Sequence, residues 1–173
     1  MRVFLSAQQG GNSIMKKDRG KVWLGVAAIV ENQAGEWLLV KKTYGGLKGV
    51  WSLPAGFVQE AETVTSATMR EVLEETGIVC KVKGLAGFRS GVILNDISDN
   101  MAIFHCEPID NNQQFVLQEK EIVEACWMAP TDIVKHELSS VMLREMAHQQ
   151  VVNHIHPIIE DINPGDVFGY SEY

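Results

Sequence analysis

The stretch from Thr63 to Gly77 carries the strongest helix signal in the chain, and it closes on a charge pattern that an isolated helix resists. Thr63 suits the N-cap, and Gly77 suits the left-handed position just past the last turn. At about 100° per residue, Glu71, Glu74 and Glu75 fall within an arc of about 100°. Met69, Val72, Leu73 and Thr76 lie roughly opposite, so one face is expected to pack on a sheet while the other offers three carboxylates to a cleft. Val64 and Ala67 break this division, because they lie on the carboxylate side. Like charges three and four residues apart destabilise a helix by a few tenths of a kcal/mol per pair. Their clustering near the C-terminal end also opposes the helix dipole. Arg70 relieves part of the repulsion, and a hard dication would relieve more, since Mg²⁺ prefers carboxylate and phosphate oxygens.

Length and composition narrow what such a helix can serve. With 173 residues, one domain is the expectation and a sizeable core can be buried. The longest apolar stretch, Trp23 to Val30, suits a buried strand and falls well short of the roughly 18 residues of a membrane span. Met1 to Leu5 is too short for a signal peptide, and cytoplasm is the expected compartment. Cys80, Cys106 and Cys126 are widely spaced among apolar neighbours, and are read as reduced and mostly buried. The formal charge of −7 disfavours a nucleic-acid polymer, whose binding rests on neutralising phosphates. A small phosphorylated metabolite or nucleotide, with its charge offset by metal, is compatible with that surface.

Three segments follow from the pattern. Residues 1–20 are polar and Gly-containing and are expected to be a flexible N-terminal segment. Residues 21–150 form the folded domain, and 151–173 a C-terminal extension with an extended tail after Asn163-Pro164-Gly165-Asp166. Within the domain, Val22 to Glu31 and Glu36 to Lys41 read as two strands of a hairpin turned at Asn32 to Gly35. Further strands are expected at Val79 to Phe88, Met101 to Glu107 and Ala125 to Met128, and helices at Pro130 to Lys135 and Ser139 to Gln150. Strands around a central helix, with more helix at the end, indicate a mixed α/β (α+β) domain.

The wider pattern around the acidic helix is more specific than the triplet alone. Gly56 is followed after five residues by Glu62. Seven residues later comes Arg70-Glu71-Val72-Leu73-Glu74-Glu75-Thr76-Gly77-Ile78. This resembles the Nudix box, and every specified position is met. Trp51-Ser52-Leu53-Pro54 before the box and Glu121 to Trp127 after it also resemble family segments. Ala55 and Ala61 stand where Gly is frequent in the family. A left-handed backbone at Ala61 would cost roughly 1 kcal/mol, so a slightly rearranged loop is expected there.

The resemblance implies a Nudix-type α/β/α sandwich with a mixed β-sheet, and Mg²⁺- or Mn²⁺-dependent hydrolysis of a diphosphate linkage. It makes Glu71 and Glu75 the first choices for metal ligands, with the backbone carbonyl of Ala55. Glu74 is a further ligand or a base that orients water. Gly56, Glu62, Arg70 and Gly77 take structural roles, with Arg70 and Glu62 joined as an ion pair. A carboxylate outside the box often completes such sites. Glu119, Glu121 and Glu124 are the candidates, and Glu121 is the first choice. Lys42 is a candidate for phosphate contact, Tyr44 for stacking on a base, and Arg89 for reaching the cleft from the end of a strand. Trp51 is read as core. His148, His154 and His156 match no structural zinc spacing and are read as surface or tail residues.

Two other functions compete. One is a catalytically silent Nudix domain that binds a nucleotide or metabolite as a regulator, against which stands the intact set of acidic residues. The other is an isomerase on the same fold, for which Cys80 would be the only thiol near the site. The substrate stays open among nucleoside triphosphates, nucleotide sugars and ADP-ribose-like compounds. Val92 to Asp96 lacks the Pro or Tyr that marks family subgroups. Pairing into a homodimer through the C-terminal arm is likewise left open.

Overall fold

The computed structural model describes residues 21–43, 45–149 and 156–157. Tyr44, His154, the side chain of His156, residues 1–20 and the tail after Pro157 lie outside the described residues.

The longest apolar stretch becomes β1 (Val22–Val30), buried on both faces from Val26 onward. Around it lie β2 (Trp37–Lys42), a 3-10 turn at Gly45–Leu47, β3 (Trp51–Ser52), β4 (Ala55–Phe57) and α1 (Val64–Thr76). They are followed by β5 (Cys80–Ile93), β6 (Ile97–Pro108), β7 (Ile122–Met128), α2 (Pro130–Lys135), α3 (Val141–Gln149) and β8 (His156–Pro157). One sheet runs β4-β1-β6-β5-β8 and the other β3-β2-β7. The β1–β6 pair is parallel and its neighbours are antiparallel, so the first sheet is mixed.

Alternation along the strands divides the core in two. Val26, Ala28, Val30, Ala102, Phe104 and Cys106 face α1, where they meet Ala67 and Val72. Ala27, Ile29 and Ile103 face the other way, with Trp37, Leu39 and Trp51, toward Ile133 of α2 and Leu143 of α3. Helix, sheets and helices therefore stack as three layers, each fully buried Ile or Val contributing roughly 1.5–3 kcal/mol.

The expected β1–β2 hairpin does not form. The two strands meet only at the bridge Glu31–Trp37, and then part into different sheets. A strand has two hydrogen-bonding edges, and β4 and β6 already occupy both edges of β1. Those of β2 go to β3 and β7. The second departure is length: β5 and β6 extend past Phe88 to a turn at Leu94 and Asn95, with φ of 52° and 56°. The turn is closed by the Asp96 N–H, which donates to the Ile93 carbonyl at 3.0 Å. No helix of the described residues is long and apolar enough to cross a membrane.

Candidate active site

The loop from Phe57 to Thr63 and the helix α1 bring the charged side chains together. Thr63 Oγ1 accepts from the Ser66 N–H at 3.1 Å, and Gly77 closes the helix at φ 75°, its N–H donating to the Leu73 carbonyl. Arg70 ties loop to helix. It donates to Glu62 at 2.7 and 3.0 Å, to the Phe57 carbonyl at 3.0 Å, to Glu71 at 2.7 Å and to Glu74 at 2.9 Å. The expected Arg70–Glu62 pair is thus present, and Arg70 also takes up much of the carboxylate repulsion. Its guanidinium holds the Glu62 carboxyl below the ordinary range.

The loop does not avoid the left-handed conformation at Ala61, as the sequence reading expected. Ala61 sits at φ 59° and is exposed. The exposure of Ala61 leaves room for its Cβ in that conformation.

The three glutamates have separate environments, which corrects the expected single carboxylate face. Glu75 is buried, 2% exposed, on the side of α1 that holds Ala67, Thr68, Val72 and Thr76. Met69 and Leu73, expected against the sheet, are exposed instead. Glu74 is about half exposed and bonded to Arg70. Glu71 lies against Gly56, where a Cβ would come within 2.2 Å of its carboxyl group. A side chain at position 56 would therefore force the Glu71 carboxyl group to move.

Burial pushes the Glu75 carboxyl up to about 7, against the opposing pull of the neighbouring Lys42 ammonium. Lys42 Nζ lies 2.6 Å from Glu75 Oε1 and donates to the Ala55 carbonyl at 2.6 Å, while the Ala55 N–H donates to Glu75 Oε2 at 3.2 Å. Lys42, read from sequence as a loop cation, is therefore buried at the end of β2. Nothing in the sequence pattern marked that inward turn. Lys41, by contrast, pairs with Glu124 at 2.6 Å and covers the ring of Trp51, which is core as expected.

Glu71, Glu75 and the Ala55 carbonyl supply oxygens only, which is the donor set a hard divalent cation takes. Among the described residues, no three acidic, His or Cys side chains converge as a ready cage. Arg70 and Lys42 hold the carboxylates instead. Glu121 lies beside this end of β2, its carbonyl accepting from the Thr43 N–H at 2.8 Å. Glu119 is exposed. Cys80 lies under α1 in contact with Cys106, both buried, so the thiol that an isomerase reading needs is away from the cleft.

A cleft of about 540 Å³ opens beside Lys42, Ala55 and Gly56. Trp23, Phe57, Met101, Arg89 and Asp99 line it, so Arg89 does reach it, paired with Asp99.

Three layers with an acidic strand–loop–helix at the mouth of a cleft define the class of fold that the 56–78 pattern resembles. The family model described as the NUDIX domain matches residues 21–149, and the chain belongs to that family. It is 31% identical over 118 residues to Nudix hydrolase 8 of Arabidopsis thaliana, covering 66% of this chain and 31% of the relative. It is 45% identical over 65 residues to an ADP-ribose pyrophosphatase of Methanocaldococcus jannaschii, covering 38% of each. The chain spans about a third of the length of these curated relatives. Among solved structures, a MutT protein from Methanosarcina mazei Go1 superposes with a TM-score of 0.64 at 25% identity, over 76% of this chain and 94% of that one.

Proposed function

We propose that this protein hydrolyses the diphosphate linkage of a nucleoside diphosphate derivative or nucleotide, with Mg²⁺ or Mn²⁺. The observation that carries the reading is a buried carboxylate, Glu75, set against the Ala55 carbonyl and next to Glu71, where the cleft begins. Burying a carboxylate is costly unless a cation meets it, and Lys42 meets it here. Glu71, Glu75 and the Ala55 carbonyl would hold the metal, with Glu74 as a further ligand or as the base that orients water. Glu121 is the carboxylate from outside the box that would complete the site. When bound, the metal neutralises the diphosphate and lowers the pKa of a water for attack on phosphorus.

The chain's own residues do the positioning. Gly56 gives Glu71 its place, and Arg70 fixes the loop that carries Gly56 relative to α1. Lys42 and Arg89 present cations along the cleft to phosphate oxygens. The relatives' printed activities, Nudix hydrolase and ADP-ribose pyrophosphatase, support the reaction class. Three free thiols support a reducing compartment, the cytoplasm.

The test is hydrolysis of a panel of nucleotide diphosphate compounds with Mg²⁺ in ¹⁸O-water, with products identified by mass. One or more compounds should be cleaved with the label on a single phosphate, and Glu75→Gln should abolish release. Full activity in Glu75→Gln would remove its assignment as ligand. No cleavage of any compound would remove the hydrolase reading.

A further inference from the structure

Residues 109–121, which join β6 to β7, cross the C-terminal end of α1 and carry Glu121. They form neither helix nor strand, yet one amide side chain grips their first half. Gln113 Oε1 accepts from the Val79 N–H at 2.7 Å, and Gln113 Nε2 donates to the Val79 carbonyl at 3.0 Å. The same nitrogen donates to the Asp110 carbonyl at 2.8 Å. Gln113 thus meets both backbone groups of Val79, as a partner strand would. Val79 itself lies just past Gly77, the residue that closes α1.

Beyond Gln113, Phe115 lies 6.2 Å from the Trp127 ring and packs on the core beneath α1. The Val116 N–H donates at 2.9 Å to the Thr76 carbonyl, one of those that a helix end leaves unpaired. Gly77 makes room for that approach, since a Cβ there would stand 2.7 Å from Val116 Cβ. Farther on, the Gln118 carbonyl accepts from the Glu121 N–H at 2.9 Å, and the Glu121 carbonyl accepts from the Thr43 N–H at 2.8 Å. Thr43 follows Lys42, whose ammonium meets Glu75, and Glu75 precedes Thr76. These contacts close a ring that leaves α1 at Thr76 and returns to it at Glu75, with Glu121 on the way.

We propose that Gln113 is a positioning residue for Glu121, pinning residues 109–121 to the end of α1 whose last turns carry Glu71 and Glu75. This rests on the proposed hydrolysis, in which Glu121 completes the site that those two carboxylates begin. A carboxylate on a long connection keeps a fixed place only if the connection is itself held, and a misplaced group is costly in rate. Gln113 touches none of the groups assigned to metal or substrate. It acts through the backbone of Val79 and, along the chain, through Val116. Gly77 then serves twice, ending the helix and admitting Val116. A merely stabilising Gln113 would affect the stability of the fold without any special link to Glu121.

Amide hydrogen exchange of the full chain, followed by NMR, reads the ring without any substrate. Gln113→Ala should speed exchange at Val79 and Val116 by about 10-fold, the order of one or two lost hydrogen bonds. The Thr43 and Glu121 amides, on the far side of the ring, should also exchange faster, while Val72 within α1 stays protected. Gln113→Met, which keeps the length of the side chain without its hydrogen bonds, should give the same pattern. A change confined to Val79 overturns the proposal. For the compound that the hydrolysis panel identifies, Gln113→Ala should lower kcat by up to about 100-fold with KM little changed. In a Glu121→Gln background the same substitution should cost nothing further, because the group it positions is already disabled. Equal losses in both backgrounds leave Gln113 a stabilising residue only, and overturn its assignment. The two readings fail separately: faster exchange at Thr43 and Glu121 without hydrolysis of any compound removes the reaction and keeps the hold on Glu121. Hydrolysis with exchange changed only at Val79 does the reverse.

Discussion

Lys42 Nζ and Glu75 Oε1 are 2.6 Å apart, in a setting where the two side chains are only 11% and 3% exposed. The same ammonium holds the Ala55 carbonyl, so one flexible cation bridges two oxygens assigned here to a metal. Buried pairs of this kind add little net stability, yet removing one partner leaves a charge stranded in the interior.

Lys42→Met is therefore expected to destabilise the protein by about 3 kcal/mol, read from urea unfolding without metal. Millimolar Mn²⁺ should restore much of the loss, because a cation that binds only the folded state shifts the equilibrium toward it. A variant whose midpoint ignores Mn²⁺ would separate Glu75 from the metal.

Gly56 governs the other carboxylate. With a Cβ 2.2 Å from the Glu71 carboxyl group, Gly56→Ala must push that side chain aside. Displacing a catalytic group by about 1 Å costs on the order of 100-fold in rate. The variant should lose about that factor in hydrolysis while far-ultraviolet circular dichroism stays native. Retained activity would show that Glu71 does not need this position.

Ala61 holds a left-handed backbone at φ 59° that glycine adopts without strain. The strain is worth roughly 1–2 kcal/mol, and the greater freedom of unfolded glycine returns about 0.4–1 kcal/mol of it. Ala61→Gly should then raise Tm by about 2 °C in a chain of this length, measured by calorimetry. A lower Tm would mean that the Cβ makes a favourable contact.

The caps of α1 were legible because Thr63 and Gly77 act within a turn of their own positions, and the Arg70–Glu62 pair because the resemblance of the 56–78 pattern implied it. The buried face of α1 was misread for a related reason. Val64 and Ala67, which broke the expected division, lie on the side that is buried, and Glu75 is buried among them. A glutamate reads as surface unless its cation is known, and Lys42 comes from a strand more than thirty positions earlier. The separation of β1 and β2 into two sheets was hidden likewise, since edge occupancy depends on β4, β6 and β7, far along the chain. The cleft wall is the same case. Trp23, Phe57, Arg89 and Asp99 come from four strands, and only their register unites them.

His105 gives the last expectation. It lies on β6 between Ile29 of β1 and Gly84 of β5, 4% exposed, and its Nε2 is buried without a hydrogen-bond partner among the described residues. Burial lowers its pKa below the ordinary histidine value, and Glu31, itself bonded to the Trp37 indole at 3.2 Å, opposes the shift. The folded state thus binds a proton less readily than the unfolded chain. Stability is full above the unfolded pKa of about 6.5, and falls as pH drops through that value toward the lower folded one, by at most about 1.4 kcal/mol per pH unit. His105→Leu removes both the titrating group and the orphaned nitrogen. Urea unfolding at pH 7.5 and 5.5 should show a smaller loss of stability in His105→Leu than in the wild type. At pH 7.5 the variant should be no less stable, since a buried polar atom without a partner is unfavourable. An identical pH dependence in the two proteins would mean that His105 takes up its proton as readily in the fold as in the unfolded chain, its nitrogen being reached by solvent.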